Sequence, residues 1–335
     1  MTEKISPATH IWVGGYTADM GGTASGIALL QRSPDGTLTL VGAAAVTPSP
    51  SYLLRVGDTV YATGESTQRI SAFQIADDTL QFLGRADAAG PYPCALSAAG
   101  PFLLDACYGY GSVGVRRLTS DGRPQPVHTI LRGAGSGPHP NQEQPHAHDA
   151  LLVDDSTVLT TDLGTDSVHV HRLDESGLVR TGSVSLPAGS GPRDLFLHSP
   201  GVVWVLGELS NILFVLTELD GSFVVSGSCS LMGAEPGDQA AAIAVDSTRR
   251  FAYVGLRGSN RISVVGVSAD GRTLTPHGST ACGGAGPRHL VVAGEQLYVA
   301  NQLSNAVTSF QLGNPGSPEL SETLDVASPT YLLVT

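Results

Sequence analysis

The chain has 335 residues, of which 41% are hydrophobic and 14% charged, with a formal net charge of −12 and Lys4 as its only lysine. Nucleic-acid binding rests on neutralising phosphates with Lys and Arg, so this balance excludes it as a main activity. No apolar run approaches the roughly 20 residues of a membrane-spanning helix, and Met1–Pro7 lacks the apolar core of a secretory leader, so no membrane partner and a cytoplasmic location are expected.

Along the chain the elements are short, β-type and divided by turn signals. His10-Ile-Trp-Val-Gly-Gly-Tyr16 reads as the second strand of a four-stranded unit whose first strand is missing, and Asp35-Gly36 marks a hairpin. Pro50 heads a strand, and a polar Glu65 closes the run that follows. Pro93 heads the next unit, in which Cys94 and Cys107 fall on the two arms of a hairpin near Gly100. That placement permits a cross-strand disulfide, although reduced, buried thiols are the expectation for a cytoplasmic chain. Gln144-Pro-His146-Ala-His148-Asp149 heads the third unit and Gly191-Pro-Arg193 the fourth, then Ala240 the fifth and Gly286-Pro-Arg288-His289 the sixth. Further Asp-Gly hairpin signals fall at Asp121, Asp220 and Asp270. A seventh heading, Ser328-Pro-Thr-Tyr-Leu-Leu-Val334, has no chain left to complete it. No stretch sustains a period of 3.6, so no long helix is expected.

One polar position recurs in a similar frame at Tyr16, Glu65, Tyr108, Asp162, Glu208, Arg257 and Gln302, at intervals of 43 to 54 residues. Three frames are near-copies: Glu208-Leu-Ser-Asn211, Arg257-Gly-Ser-Asn260 and Gln302-Leu-Ser-Asn305. A period of this size is that of a four-stranded propeller blade. The orphan strand at each end predicts closure by pairing the C-terminal strand with N-terminal strands, which removes the open sheet edges. Residues 1–335 therefore read as a single all-β domain, a seven-bladed β-propeller.

In such a ring the recurring polar groups converge on the axis. A structural role in blade-to-blade hydrogen bonds competes with a functional one for each of them. His146 and His148 lie on one face of an extended strand and are the general-base candidates; with no third ligand at suitable spacing, no metal is assigned. If blade four turns at Ser199-Pro-Gly201, Arg193 and Glu208 face each other across the hairpin, either as catalytic groups or as an ion pair sealing the channel. Arg193, Arg257 and Arg288 together suit an anionic ligand, because the guanidinium fork binds carboxylate or phosphate. No nucleophile elbow is present, and the glycine-rich segments precede strands rather than helices, so they read as blade connections. Most of this chemistry lies on the arc from Asp162 to Gln302.

These stretches, with Asp162-Leu-Gly-Thr-Asp166, Arg257-Gly-Ser-Asn-Arg261 and Ala300-Asn-Gln302, resemble the seven-bladed propeller lactonases, a family that includes propeller-type 6-phosphogluconolactonases and a carboxymuconate lactonizing enzyme. The resemblance covers nearly the whole chain. It implies a cofactor-free channel site and a hydrolase opening a small anionic or sugar-type lactone. Carried over by motif, His146, Arg193, Glu208 and Arg257 are catalytic, through His/Glu acid-base chemistry and Arg electrostatic assistance. His148, Asp162, Arg288, Gln302, Tyr16 and Glu65 bind substrate. The alternatives are a lactonizing isomerase and a non-catalytic ligand- or protein-binding propeller, in each case a monomer or weak homo-oligomer. Two departures remove positive charge, Asp194 where the family often has His and Asn141 where Arg is expected, and with the near absence of lysine they put a carboxylated or neutral sugar lactone level with a phosphorylated one.

Overall fold

The structure, a computed structural model, describes residues 9–314 and 316–335; the reading of Met1–Pro7 lies outside the described residues. Seven four-stranded antiparallel sheets are arranged as blades. Blade one spans Leu53–Asp87, blade two Pro93–Arg132, blade three Ala147–Ser185, blade four Pro192–Ser230, blade five Ala240–Ala281 and blade six Pro287–Asp325. Blade seven joins Pro329–Val334 to Thr9–Gly15, Gly26–Arg32 and Leu38–Val46, with Ile11 opposite Val334 and Trp12 opposite Leu333. The ring is thus closed by both ends of the chain, as the orphan strands predict.

Burial follows position in the blade. The second strands Thr59–Gly64, Phe102–Cys107 and Val202–Gly207 are buried on both faces, whereas outermost strands such as Gly177–Ser185 are mostly exposed. The core therefore lies between blades: Trp204, Leu206 and Val215 of blade four pack with Ala252 and Val254 of blade five. Burying a side chain of that size stabilises the fold by roughly 1.5–3 kcal/mol, so blade interfaces supply most of the cohesion.

The near-copy frames have a structural explanation at their last residue. Asn211, Asn260 and Asn305 all occupy the left-handed region, with φ of 53°, 56° and 52°, a conformation that Asn tolerates better than most residues. From there Asn260 Oδ1 accepts the Gly286 amide at 2.8 Å, Asn305 Oδ1 accepts the Ser328 amide at 2.9 Å, and Asp166 Oδ1 accepts the Gly191 amide at 2.8 Å. Each latch fixes the start of the next blade's innermost strand.

Those innermost strands share a second device. In five blades the first pair of the ladder is followed by a β-bulge, between Pro93 and Ala95, Ala147 and Asp149, Pro192 and Asp194, Ala240 and Ile243, and Pro287 and His289. A bulge leaves its extra residue out of the ladder and re-aims the side chain. The extra residues are Cys94, His148, Arg193, Ala241 with Ala242, and Arg288.

Candidate active site

The bulge residues line a cavity of about 340 Å³ in the central channel, together with Ser51 of blade one and Thr330 of blade seven. Its His148, Arg193 and Arg288 hold equivalent places in blades three, four and six. His146 sits two residues earlier, where blades four and six have Gly191 and Gly286. This follows from one repeated hydrogen bond, in which the Leu163, Glu208 and Gln302 amides donate to the His146, Gly191 and Gly286 carbonyls respectively.

The same bond defines the recurring ring and corrects one of its members. Tyr16, Glu65, Tyr108, Glu208, Arg257 and Gln302 all donate in this way, but in blade three the donor is Leu163. Asp162 stands one step earlier. Its Oδ1 accepts the His146 amide at 2.8 Å and the Gly164 amide at 3.1 Å, capping the short 3₁₀ turn Leu163–Thr165. Its Oδ2 lies 3.7 Å from His169 Nε2. The carboxylate is thereby committed to the local backbone, and the channel ring is apolar at blade three.

Glu208 is the centre of the charged layer. Arg193 Nη1 donates to its Oε2 at 2.5 Å, and Arg257 Nη2 lies 2.7 Å from its Oε1. Burial alone would raise this carboxyl, but Arg257 and Arg193 outweigh it and hold Glu208 well below the usual carboxylate range. Glu208 is therefore ionised and unsuited to taking a proton at neutral pH, unlike the acid-base role the motif suggests. Arg193 is further pinned by its Nε, which donates to the Ala241 carbonyl at 2.5 Å. Arg257 is brought down to about 10 by burial and remains a cation.

A second chain of contacts closes the ring through the blades that the sequence marks as poorest. Arg288 Nη2 donates to Tyr16 Oη at 2.7 Å, and that phenol lies 3.0 and 3.1 Å from the two Glu65 oxygens, to which it donates. Burial, joined by Glu65, holds the Tyr16 phenol well above its usual value. Blades six, seven and one are thus joined in one hydrogen-bonded relay. The site is not confined to the arc from Asp162 to Gln302.

The two histidines are separated by their surroundings. Both gather around Tyr108, His146 stacked at 4.0 Å and His148 edge-on at 6.1 Å between ring centroids. His146 Nδ1 lies 2.8 Å from the Tyr108 carbonyl. A carbonyl can only accept, so Nδ1 carries a proton. Nε2 is buried, 3.5 Å from Glu143 Oε1. His148, in contrast, lines the cavity beside Arg193 and Arg288. Burial, then Arg193, push its imidazole well below the ordinary histidine value, so it is neutral at pH 7. Among the described residues, no group of three or more His, Cys, Asp or Glu is placed to hold a metal ion.

Beneath this layer lies a set of groups whose partners the sequence does not show, although Asp194 stands out in it as a departure from the family pattern. Asp149 Oδ2 accepts the Leu195 amide at 2.9 Å, Asp194 Oδ2 accepts the Ile243 amide at 2.8 Å, and His289 Nδ1 accepts the Leu332 amide at 3.2 Å. Each belongs to the residue after the bulge and holds the innermost strand of the next blade. Burial raises both carboxyls, Asp194 to about 6 and Asp149 well above its usual range with Asp194 as the second cause. Cys94 adds a thiol to the cavity wall; all four cysteines are free.

Residues 10–334 match the family model described as "Lactonase, 7-bladed beta-propeller". The chain belongs to the seven-bladed propeller lactonase family. Among lactonase-family relatives, a 6-phosphogluconolactonase of Bacillus subtilis is 33% identical over 210 residues, 59% of this chain and 60% of that protein. The aligned region therefore spans less than two thirds of that relative. An uncharacterized Lactococcus lactis protein is 28% identical over 314 residues, 90% of this chain and 91% of its own length. Among solved structures, a periplasmic gluconolactonase of Pseudomonas aeruginosa superposes with a TM-score of 0.87 at 25% identity, covering 98% of this chain and 99% of that one. Membership of the lactonase family thus does not fix the compartment. Among the described residues, no helix is long and apolar enough to cross a membrane.

Proposed function

We propose that this chain is a hydrolase opening a sugar-type lactone in the propeller channel. The observation that carries the reading is the cavity layer in which a neutral His148 stands beside Arg193 and Arg288, with Glu208 fixing Arg193 from behind.

Lactone opening needs a base for water and a stabiliser for the oxyanion that forms as water adds to the carbonyl carbon. His148 takes one proton from the attacking water. Arg193, held rigidly by Glu208 and the Ala241 carbonyl, offers its remaining N–H groups to the developing oxyanion. Collapse of the tetrahedral intermediate breaks the ring C–O bond, and the proton on His148 passes to the departing alkoxide, giving a hydroxy acid. Arg288, fixed through Tyr16, binds an anionic substituent, and Arg257 holds Glu208 from the other side. His146, with its Nδ1 proton held by the Tyr108 carbonyl, orients the neighbouring ring rather than meeting substrate, so the base role passes from His146 to His148.

The reading is tested by acid release from gluconolactone, 6-phosphogluconolactone and muconolactone, with and without chelator. Arg193→Ala and His148→Asn are expected to lower turnover by about 10²-fold or more while circular dichroism stays that of the parent. Turnover equal to the parent in both variants would refute the site. Activity confined to muconolactone would favour the isomerase alternative, in which the same groups move a proton while a ring is made or broken.

A further inference from the structure

The charges around the cavity are specific enough to name the anion it takes, given the lactone reading above. Arg193 and Arg288 both line the cavity, whereas Arg257 does not. Among the described residues, Arg193 Nη2 has no hydrogen-bond acceptor, and neither do Arg288 Nε and Nη1; these donors are open to a ligand. Arg193, whose open Nη2 serves the oxyanion, adds positive charge beside Arg288, whose two spare N–H donors can hold a carboxylate or phosphate.

The counter-charges decide between the two. In the layer itself, three guanidiniums (Arg193, Arg257 and Arg288) face two carboxylates, Glu208 and Glu65, which leaves one positive charge for a ligand. Directly beneath, Asp194 lines the same cavity and brings further negative potential to it. Lys4, the only lysine in the chain, precedes the described residues. A phosphate monoester carries about −1.5 to −2 at neutral pH, more than this layer can balance, and in a partly desolvated channel the excess is costly. A single carboxylate matches it.

We propose that the channel selects a lactone carrying one carboxylate over one carrying a phosphate dianion. Glu65 and Asp194 are the residues that set this preference. Glu65 reaches Arg288 through the Tyr16 phenol, and Asp194 follows Arg193 directly in the same strand. Neither needs to touch the ligand, since each lowers the positive potential at the arginine that does.

The test compares three lactones that differ chiefly in charge, namely glucaro-1,4-lactone with its free carboxylate, neutral gluconolactone and 6-phosphogluconolactone. In parallel, calorimetry compares binding of glucuronate, glucose and glucose 6-phosphate, which reads the anion preference without turnover. The parent is expected to favour the carboxylated member of each set over the phosphorylated one by roughly tenfold or more. Glu65→Gln and Asp194→Asn keep their hydrogen-bond acceptors and remove charge, so each is expected to shift that ratio toward phosphate, by roughly tenfold. A parent that prefers the phosphorylated member in both assays overturns the proposal and leaves the lactonase reading standing. Carboxylate-selective binding with no lactone opened supports the proposal and removes the hydrolase reading. A ratio unmoved in both variants overturns the assignment to Glu65 and Asp194.

Discussion

Arg193 and Glu208 meet at 2.5 Å across one hairpin although their flanking residues pair in different registers, Pro192 with Gly207 and Asp194 with Leu206. The bulge between these pairs takes Arg193 out of the ladder and lets its side chain face both the channel and the end of the neighbouring strand. The ion pair is therefore a product of backbone geometry as much as of charge, and the same geometry recurs at His148 and Arg288.

Removing Glu208 should expose that dependence. With Arg193 and Arg257 left as buried cations, Glu208→Ala is expected to cost about 3–5 kcal/mol of stability, read from the midpoint of urea unfolding. Arg193→Lys should not restore turnover, because an ammonium cannot hold Glu208, the Ala241 carbonyl and a ligand in one plane.

The two histidines should separate in a pH profile. As pH falls through the depressed His148 value, the imidazole gains a proton and can no longer accept one. The acid limb of kcat/KM is therefore expected below the ordinary histidine value of about 6.5. His146→Asn should lower kcat and leave that limb in place, whereas His148→Asn should abolish it. A limb surviving in His148→Asn would assign the base elsewhere.

Asp194 makes the opposite kind of prediction for stability. Its folded value of about 6 lies above the ordinary carboxylate value, so the folded state holds the proton more tightly than the unfolded chain. The stabilisation is complete below about pH 4 and is lost as pH rises through about 6. Asp194→Asn, which still accepts the Ile243 amide, should flatten the corresponding decline in unfolding free energy between pH 4 and 7. The difference is expected to be on the order of 3 kcal/mol.

A further prediction lies far from the channel. Arg116 and Asp105 form a fully buried ion pair in blade two at 2.5 Å, with Arg116 Nη1 also donating to the Asp87 carbonyl at 2.7 Å and Asp105 Oδ2 accepting the Ala89 amide at 2.7 Å. Arg116→Ala should destabilise by about 3–5 kcal/mol, while replacing both partners with apolar residues should recover much of that loss. Thermal unfolding of the single and double variants measures both.

What could be read before the structure was whatever repeats. The Asn of each Ser-Asn frame, the Asp-Gly hairpins and the two orphan strands carry local backbone requirements, and these are written into residue type. A turn at Ser199-Pro-Gly201 points to an Arg193–Glu208 contact, but the contact arises differently: the ladder runs through Pro192–Gly207 and Asp194–Leu206, and the bulge rather than the hairpin register brings the two side chains together. Blade three was misaligned because His146-Ala-His148 presents two similar residues, and Pro145 stands two places before Ala147, the counterpart of Pro192. Asp162 is polar and so mimics a ring member, whereas the ring position falls on Leu163. The bulges themselves have no compositional mark. The roles of Asp149, Asp194 and His289 leave no mark in the sequence either, because their partners are backbone amides of the next blade, about 43 to 49 residues away.

Blade seven makes the channel depend on distant parts of the chain. Tyr16, which orients Arg288, is seated beside blade six by the strand Pro329–Val334, and that strand pairs with Ile11 and Trp12. The Arg193–Glu208–Arg257 cluster needs only the neighbouring blades four and five, whereas the relay from Glu65 through Tyr16 to Arg288 needs the closing strand in place. The fastener of the ring and the support of Arg288 are therefore one element.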